Sequence, residues 1–509
     1  MAGDITDNRL RRAVISDMLQ RNAARHATSA ALIERSATGS RRVVTYDQLN
    51  NYANMLATRW IESGLTPGSV VAGIGRNGVD LVAAYMATLK SGCSFTMLNH
   101  SHTDDDIDFQ IGHSKPAIVA TRSADSRAPF TNHGTAITEF DGLLERSLGT
   151  RFAEPDVYID ESSTAAIVYT SGTESRPKGV EITHRNFMIA TTPAWSYEGY
   201  LRNLDVFLLL APIHTMAGIG TVTNAMSMGS TMVVLDSTDP DVVIDAIESE
   251  RVTNMSQTPT FYRRMVESPR FVQADLGSLQ QCHTYGGLNQ ASVFKAFVDK
   301  VPKLWWATYW GQSELSQLGS IGWFRQLEDI PGGDLRWIGK PTAHLEVRVV
   351  DDEGQEAEVG EMVVRSPAVM KGYRDDPTRT AEAVRGGWLH TGDIVRRDDD
   401  LNLFFYDRKK DVVKTGGMNV SSLEVEQAIL EVDGVIEVAV IGVPDEKWSE
   451  AVVACVVTRD GASTNEGAII THCRQRLAPY KVPKCVVFRR DLPKDLQGKI
   501  RKRVLRDEI

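Results

Sequence analysis

Two stretches of this chain hold residue types at spacings that could do phosphate chemistry. The first, residues 169–186, reads YTSGTESRPKGVEITHRN. Its core, TSGTESRPKG at 170–179, packs two glycines, four hydroxyls and a lysine into ten residues. Glycines let the backbone approach a ligand closely and adopt unusual dihedral angles. Hydroxyls and amides can cradle phosphate oxygens, and Lys178 can neutralise one of them. The order is not that of a Walker A loop, which needs Gly-Lys-Ser/Thr, because Lys178 follows Pro177 and precedes Gly179. Taken alone, such a loop is most often a surface turn. The second stretch, LPKDLQGKIRK at 492–502, carries Gly498 and Lys499 near the far end of the chain. A phosphate-type loop and a remote Gly-Lys suggest a two-domain enzyme. One domain would hold a nucleotide and the other would bring in Lys499.

Such residues need elements to position them. Short β-branched runs at 69–75, 117–120, 165–170 and 231–235 alternate with amphipathic helical stretches such as 45–63. That alternation predicts an α/β chain with largely parallel sheets, and the phosphate-type loop leaves the end of one predicted strand. After about residue 340 the texture changes to antiparallel strands at 345–350, 360–364 and 403–406, separated by acidic turns. A charged hinge candidate, DRKKD, follows at 407–411. Beyond it the pattern predicts a helix at 422–430, strands at 435–441 and 451–457, a helix at 467–477 and a strand at 485–488. The expected organisation is a large N-terminal domain, 1–406, of α/β subdomains with a small antiparallel β subdomain. A hinge at 407–410 and a mobile α+β C-terminal domain, 411–509, carrying Lys499 complete it.

Bulk properties narrow the function. A chain of 509 residues is too long for one core. Its 42% hydrophobic and 24% charged residues are ordinary for a globular protein, and its net charge of −10 argues against nucleic acid as a partner. The longest apolar run, 206–213, is far short of the ~20 residues that span a bilayer. The first nineteen residues mix acids and arginines without an apolar segment, so no secretory signal is expected. Five cysteines, 93, 282, 455, 473 and 485, form no CxxC pair, which reads as reduced thiols in a cytoplasmic protein and argues against a zinc site.

The 170–179 string resembles the signature of the adenylate-forming superfamily, which includes acyl-CoA synthetases, peptide-synthetase adenylation domains and beetle luciferases. It matches at Thr170, Ser171, Gly172, Thr173, Pro177, Lys178 and Gly179, and departs at Glu174 and Ser175, where Thr and Gly are usual. A carboxylate beside phosphates should be repulsive. Further stretches resemble that family's motifs in family order. PIHTMAG at 212–218 places His214 beside a carboxylate pocket with Met216, Ala217 and Gly218 along its wall. YGGL at 285–288 sets Gly286 and Gly287 against adenine. YWGQSE at 309–314 gives Trp310 as the stacking aromatic, Gly311, Ser313 as a phosphate-facing hydroxyl, and Glu314 as the Mg²⁺ ligand, a hard-oxygen donor for a hard cation. In the same stretch Trp305, Trp306 and Tyr309 read equally well as an aromatic core. GWLHTGD at 387–393 makes Asp393 the ribose-binding carboxylate. DRKK at 407–410 supplies Arg408 toward ribose or phosphate and Lys410 as the hinge, with Asp407 where glycine is usual. KTGGMNV at 414–420 sets Gly416 and Gly417 along a pantetheine tunnel.

The resemblance implies two-step carboxylate activation. A carboxylate attacks the α-phosphate of ATP, giving acyl-AMP and pyrophosphate, with Lys499 bridging the two reactants. The small domain then turns to admit coenzyme A. Residues 211–217 hold no acid to pair an α-ammonium, which favours an aliphatic, alicyclic or aryl acid over an amino acid. Two rival readings stand beside an acyl-CoA ligase. One transfers the acyl group to a carrier-protein phosphopantetheine or to an amine. The other is a nucleotide-binding protein with weak catalysis, motivated by Glu174 and Asp407. A homodimer is implied by resemblance only.

Overall fold

The computed structural model describes residues 5–36, 38–127, 129–170, 177–192, 205–287, 289–459, 461–494 and 500–509. Ser171, Gly172, Thr173, Glu174, Ser175, Leu288, Gly498 and Lys499 lie outside the described residues. Contacts divide the chain into two units. The first comprises Met1–Gly333, Ile338–Glu346 and Arg365–Leu389, and the second Asp334–Trp337, Val347–Val364 and His390–Ile509.

In the first unit, strands Ala30–Arg35, Thr231–Leu235, Val206–Leu209, Asn254–Gln257, Gln281–Tyr285 and Trp305–Trp310 lie side by side and parallel. Ser320–Phe324 adds antiparallel to the last of these. A second sheet runs in the order Gly372–Tyr373, Lys178–Thr183, Thr164–Thr170, Ser94–Leu98, Val70–Ile74, Ile118–Thr121 and Ala136–Glu139. Strands Val70–Ile74 and Ser94–Leu98 are buried at every residue. This is the mark of parallel strands covered on both faces, and it explains the unbroken apolar runs in the sequence. The helix Val79–Lys90 is buried along its whole length, which an all-round apolar helix requires. Its terminal charge, Lys90, is matched inside by Glu154. The expected helix at 45–63 is observed as Tyr46–Glu62, started by a Thr45–Gln48 capping box.

In the second unit the antiparallel strands run in the order 347–350, 359–364, 390–397 and 403–408. The C-terminal module pairs Val435–Asp445 with Ser449–Thr458, and Cys485–Phe488 adds parallel to the latter. Alternation fixes which helices cover which face. Val438, Val440, Val452, Ala454 and Val456 join Val425 and Ile429 of the helix Ser422–Leu430 and Ile469 and Cys473 of the helix Glu466–Arg476. The intervening Ala439, Ile441, Val453, Cys455 and Val457 meet Leu505 of the helix Lys502–Glu508 on the other side. The expected hinge residues 407–410 lie at and beyond the end of the strand Leu403–Arg408.

Candidate active site

The strands Thr164–Thr170 and Lys178–Thr183 pair antiparallel, with Thr170 opposite Lys178 and Tyr169 opposite Gly179. They bracket the phosphate-type loop from both ends, and Thr170 and Lys178 are half-buried. The short strand Gly372–Tyr373 pairs with the outer side of Lys178–Thr183, Tyr373 opposite Val180. That register carries the Tyr373 ring to Lys178, whose Nζ lies 5.1 Å from the ring centroid. The Tyr373 hydroxyl donates a 2.8 Å hydrogen bond to Glu314 Oε1. Burial, then the Glu314 carboxylate, pushes this hydroxyl far above its ordinary pKa, so it remains a donor.

Glu314 sits in the single turn Ser313–Leu315. Fully buried Leu315 anchors the turn, and the Met370 N–H donates to the Glu314 carbonyl at 2.8 Å. Tyr373 thus holds one carboxylate oxygen, Oε1. No group of three or more His, Cys, Asp or Glu side chains among the described residues could hold a metal by itself. One carboxylate completed by phosphate oxygens is a donor set that fits Mg²⁺, which usually binds through one or two carboxylates and substrate phosphates.

Around that turn the backbone is tightly folded. A Cβ added at Gly311 would lie 1.5 Å from the Gln317 carbonyl oxygen, so only glycine fits. Ser313 is half-buried on the same turn. Trp310 is 6% exposed and packs against Gly319, where an added Cβ would come within 2.4 Å of the indole. Trp306 is core, meeting Tyr262, Phe294 and Phe297 edge-on, while Trp305 and Tyr309 are half-buried. Gly286, with φ 73°, and Gly287 are exposed just past the C-terminal end of the parallel strand Gln281–Tyr285. Ligands of open α/β sheets bind at such strand ends.

His214 stands in the turn between Val206–Leu209 and the helix Met216–Met228. Asn77 braces this turn by accepting from the Ile213 N–H and donating to the Ala211 carbonyl, each at 3.0 Å. Thr215 caps the helix, and Gly218 lies so close to Pro212 that an added Cβ would be 2.1 Å from its carbonyl oxygen. Met216 is buried and Ala217 half-buried on the first turn. Burial, then His102 and His100, lowers the His214 pKa to about 3. The ring is therefore neutral at pH 7, and its buried Nδ1 has no hydrogen-bond partner. Such an imidazole can exchange a hydrogen bond with a carboxylate but cannot pair with it as a cation.

The second unit holds the remaining sequence-predicted residues. Asp393, fully buried, lies opposite Arg408 in the strand pair, and the Arg408 Nε is 2.9 Å from its Oδ1. Gly416 and Gly417, at φ 57° and 79°, form the two-residue turn between Val413–Thr415 and Met418–Val420. Two successive positive φ angles make this turn a glycine position. Lys410 is exposed.

Sequence reasoning missed two features. Tyr373 was not singled out, because nothing in KGYR marks it as a strand. Trp448 was missed as well. An added Cβ at Gly416 would lie 3.0 Å from its ring, and Lys447 Nζ and Lys484 Nζ stand 4.8 and 5.2 Å from the ring centroid. An aromatic face flanked by two lysines beside a glycine turn suits a purine and its phosphates.

The chain was also compared with known proteins. Residues 19–374 match the AMP-binding enzyme family and residues 424–499 the AMP-binding enzyme C-terminal domain. A long-chain-fatty-acid–CoA ligase of Mycobacterium tuberculosis is 30% identical over 486 residues, covering 91% of this chain and 93% of the relative. A feruloyl-CoA synthase of Amycolatopsis is 31% identical over 472 residues, 90% and 92% of the two chains. The crystal structure of ATP-bound MatB from Rhodopseudomonas palustris superposes with a TM-score of 0.86 at 27% identity, covering 97% and 98%.

Proposed function

This chain belongs to the AMP-binding enzyme family, and from that premise we propose that it is an AMP-forming ligase joining a carboxylic acid to coenzyme A. The observation that carries this reading is the Lys178–Tyr373–Glu314 relay, which sets a cation and a hydroxyl-held carboxylate beside the phosphate-type loop. The acid class is aliphatic, alicyclic or aryl, as the absence of an acidic residue at 211–217 supports.

In the first step the substrate carboxylate attacks the α-phosphorus of ATP, the bond to the β-phosphate oxygen breaks, and pyrophosphate leaves. Charge accumulates on phosphoryl oxygens, so the protein's contribution is positioning and electrostatic stabilisation. Thr170, Ser171, Gly172, Thr173 and Lys178 would hold the leaving phosphates, with Ser313 as a further hydroxyl. Glu314 would hold Mg²⁺, which when bound neutralises phosphate charge. Tyr373 would keep the Glu314 carboxylate oriented. Trp310, Gly286, Gly287 and Gly311 would form the adenine pocket, and Asp393 with Arg408 would take the ribose. His214 would meet the acid as a neutral hydrogen-bonding wall, with Met216, Ala217 and Gly218 beside it. Lys499, a compact point charge, would bridge carboxylate and α-phosphate.

In the second step the domain 411–509 would turn about Lys410 within the hinge 407–410. The Gly416–Gly417 turn would then admit the thiol, which attacks the acyl carbonyl and expels AMP. Trp448, Lys447 and Lys484 would receive the nucleotide end of coenzyme A. A carrier-protein phosphopantetheine or an amine as acceptor shares the first step and differs only in the second. A cytoplasmic enzyme, in line with five unpaired cysteines, and a homodimer complete the reading.

The test is a panel of carboxylates with ATP and Mg²⁺, run with coenzyme A, with amines and with neither, reading AMP release and product mass. Lys499→Ala should abolish acyl-AMP formation while sparing thioester formation from supplied acyl-AMP. Equal loss in both half-reactions would remove Lys499 from its role, and no thioester across a broad panel would overturn coenzyme A as acceptor.

A further inference from the structure

The helix Met216–Met228 presents Ala217, Gly220, Thr221 and Asn224 at helical spacing, so they share one face. Ala217, on the first turn, is the wall that the reading above assigns to the acid. One turn further down, that face is occupied. A Cβ added at Gly220 would lie 2.1 Å from Gln317 Oε1 and 2.7 Å from its Nε2, so the Gln317 amide rests directly on the Gly220 backbone. Asn224 Nδ2 donates to Gln317 Oε1 at 3.4 Å. Gln317 follows Glu314 by three residues, which puts this amide at the junction between the metal-side turn and the wall of the acid pocket.

Its placement is imposed from both sides. Gln317 has φ 116° and the preceding Ser316 φ 58°, two consecutive non-glycine residues in the left-handed region. Strain of this kind persists only where surrounding contacts over-determine it. Here the contacts are identifiable. The Ser316 hydroxyl donates to the Ala368 carbonyl at 2.7 Å, the Gln317 carbonyl lies against Gly311, and the side chain fits only because residue 220 lacks a Cβ. Gln317 is half-buried, and its amide is held between Gly220 and Asn224.

We propose that Gln317, seated on Gly220 and joined by Asn224, forms a polar floor to the acid pocket and selects short carboxylic acids with a hydrogen-bonding group at the far end of the tail. Gly220 lies ~4.5 Å along the helix axis from Ala217, so the floor closes the pocket after a short tail. An amide both donates and accepts, so a ketone, hydroxyl or second carboxylate on the tail would be satisfied there. An apolar tail would instead strip water from the amide without replacing its hydrogen bonds, and sites built around polar groups reject such analogues strongly. This inference rests on the carboxylate-activating reading above.

The experiment uses the full chain, ATP, Mg²⁺ and matched acids in pyrophosphate exchange. The pairs are pentanoate with 4-oxopentanoate, and 3-phenylpropanoate with 3-(4-hydroxyphenyl)propanoate, plus octanoate as a long apolar probe. The wild type should favour the polar member of at least one pair by tenfold or more in kcat/KM, with octanoate the poorest. Gln317→Leu should lose or reverse that preference chiefly through KM, and Gln317→Asn should restore part of it. Gly220→Ala should displace the amide and weaken the same preference. An unchanged polar-to-apolar ratio in a folded Gln317→Leu enzyme would overturn the inference and leave the parent reading intact. Exchange with none of these five acids but with others of the broad panel would overturn the inference alone, and exchange with no carboxylate in either set would overturn both.

Discussion

Tyr373 offers the sharpest separation of the forces at the metal side of the site, because one side chain makes two different contacts. Its hydroxyl donates to Glu314 at 2.8 Å, and its ring carries Lys178 at 5.1 Å. Tyr373→Phe removes the first and keeps the second, and Tyr373→Leu removes both. A hydrogen bond to a charged group contributes ~1.5–3 kcal/mol. Tyr373 and Glu314 are only half-buried, so the lower end applies. That corresponds to about a tenfold fall in kcat/KM for adenylation, at ~1.4 kcal/mol per tenfold. Losing the ring should cost a further ~0.5–1 kcal/mol, about two- to fivefold. Without its hydroxyl partner Glu314 is no longer fixed, so Tyr373→Phe should also need more Mg²⁺ for half-maximal rate. Carboxylate-dependent ATP–pyrophosphate exchange across a Mg²⁺ series measures both effects, and a thermal melt confirms that each variant is folded. A Tyr373→Phe enzyme with wild-type kcat/KM and Mg²⁺ dependence would refute the relay and reduce Tyr373 to packing.

Two further outcomes follow from buried charge. Burial lowers the pKa of His184 to about 4, and of His214 and His283 to about 3, from 6.5. Each folded-state value is depressed, so stability is intact above pH 6.5 and falls below it by ~1.4 kcal/mol per pH unit per histidine. Melting temperatures should therefore drop steeply from pH 6.5 to 5. His184→Leu, replacing a ring with neither nitrogen bonded, should flatten that slope by ~1.4 kcal/mol per pH unit without loss at pH 7.5, and an unaltered slope would contradict this account. In the second unit, Lys502 is paired with Glu426 at 2.7 Å and faces Asp407 in the same buried cluster. Lys502→Met leaves both carboxylates uncompensated and should lower unfolding free energy by ~3–5 kcal/mol in urea, whereas a change under ~1 kcal/mol would show that water already reaches the cluster.

The sequence disclosed what depends on local pattern and hid what depends on register. The strands expected at 435–441 and 451–457 were legible because alternate residues feed two different cores. They run further, to Asp445 and back to Ser449, because backbone pairing continues through polar residues that no apolar pattern marks. The motif glycines were equally legible, and Gly311, Gly218 and the Gly416–Gly417 turn all sit where a side chain would collide or the backbone requires positive φ. Tyr373 was not, since it meets Lys178 only because Gly372–Tyr373 pairs beside Lys178–Thr183, a contact between segments far apart in the chain. Gln317 was hidden for the same reason. Its amide acquires meaning only once Gly220 is placed beneath it.

Asp407 shows how one departure from a motif changes sense once its partners are known. As a sequence feature it replaces a glycine in a hinge and reads as a stiffer turn. In the structure its carboxylate accepts from both the N–H and the hydroxyl of Ser422, at 2.6 and 2.7 Å, and faces Lys502. Those partners head two helices of the C-terminal module. The next two residues are tied elsewhere, Arg408 to Asp393 at 2.9 Å and Lys409 to Glu361 at 3.1 Å, both on the antiparallel strands. Asp411 returns to the module through Arg506 at 2.8 Å. Lys410 therefore lies between side chains anchored to different parts of the second unit, and it is itself exposed. Asp407 precedes Lys410 yet is bonded to the module that follows it. A rotation of the module at Lys410 would therefore have to open the buried Asp407–Ser422 contacts and separate Asp407 from Lys502, while Arg408–Asp393 and Lys409–Glu361 would stay with the antiparallel strands.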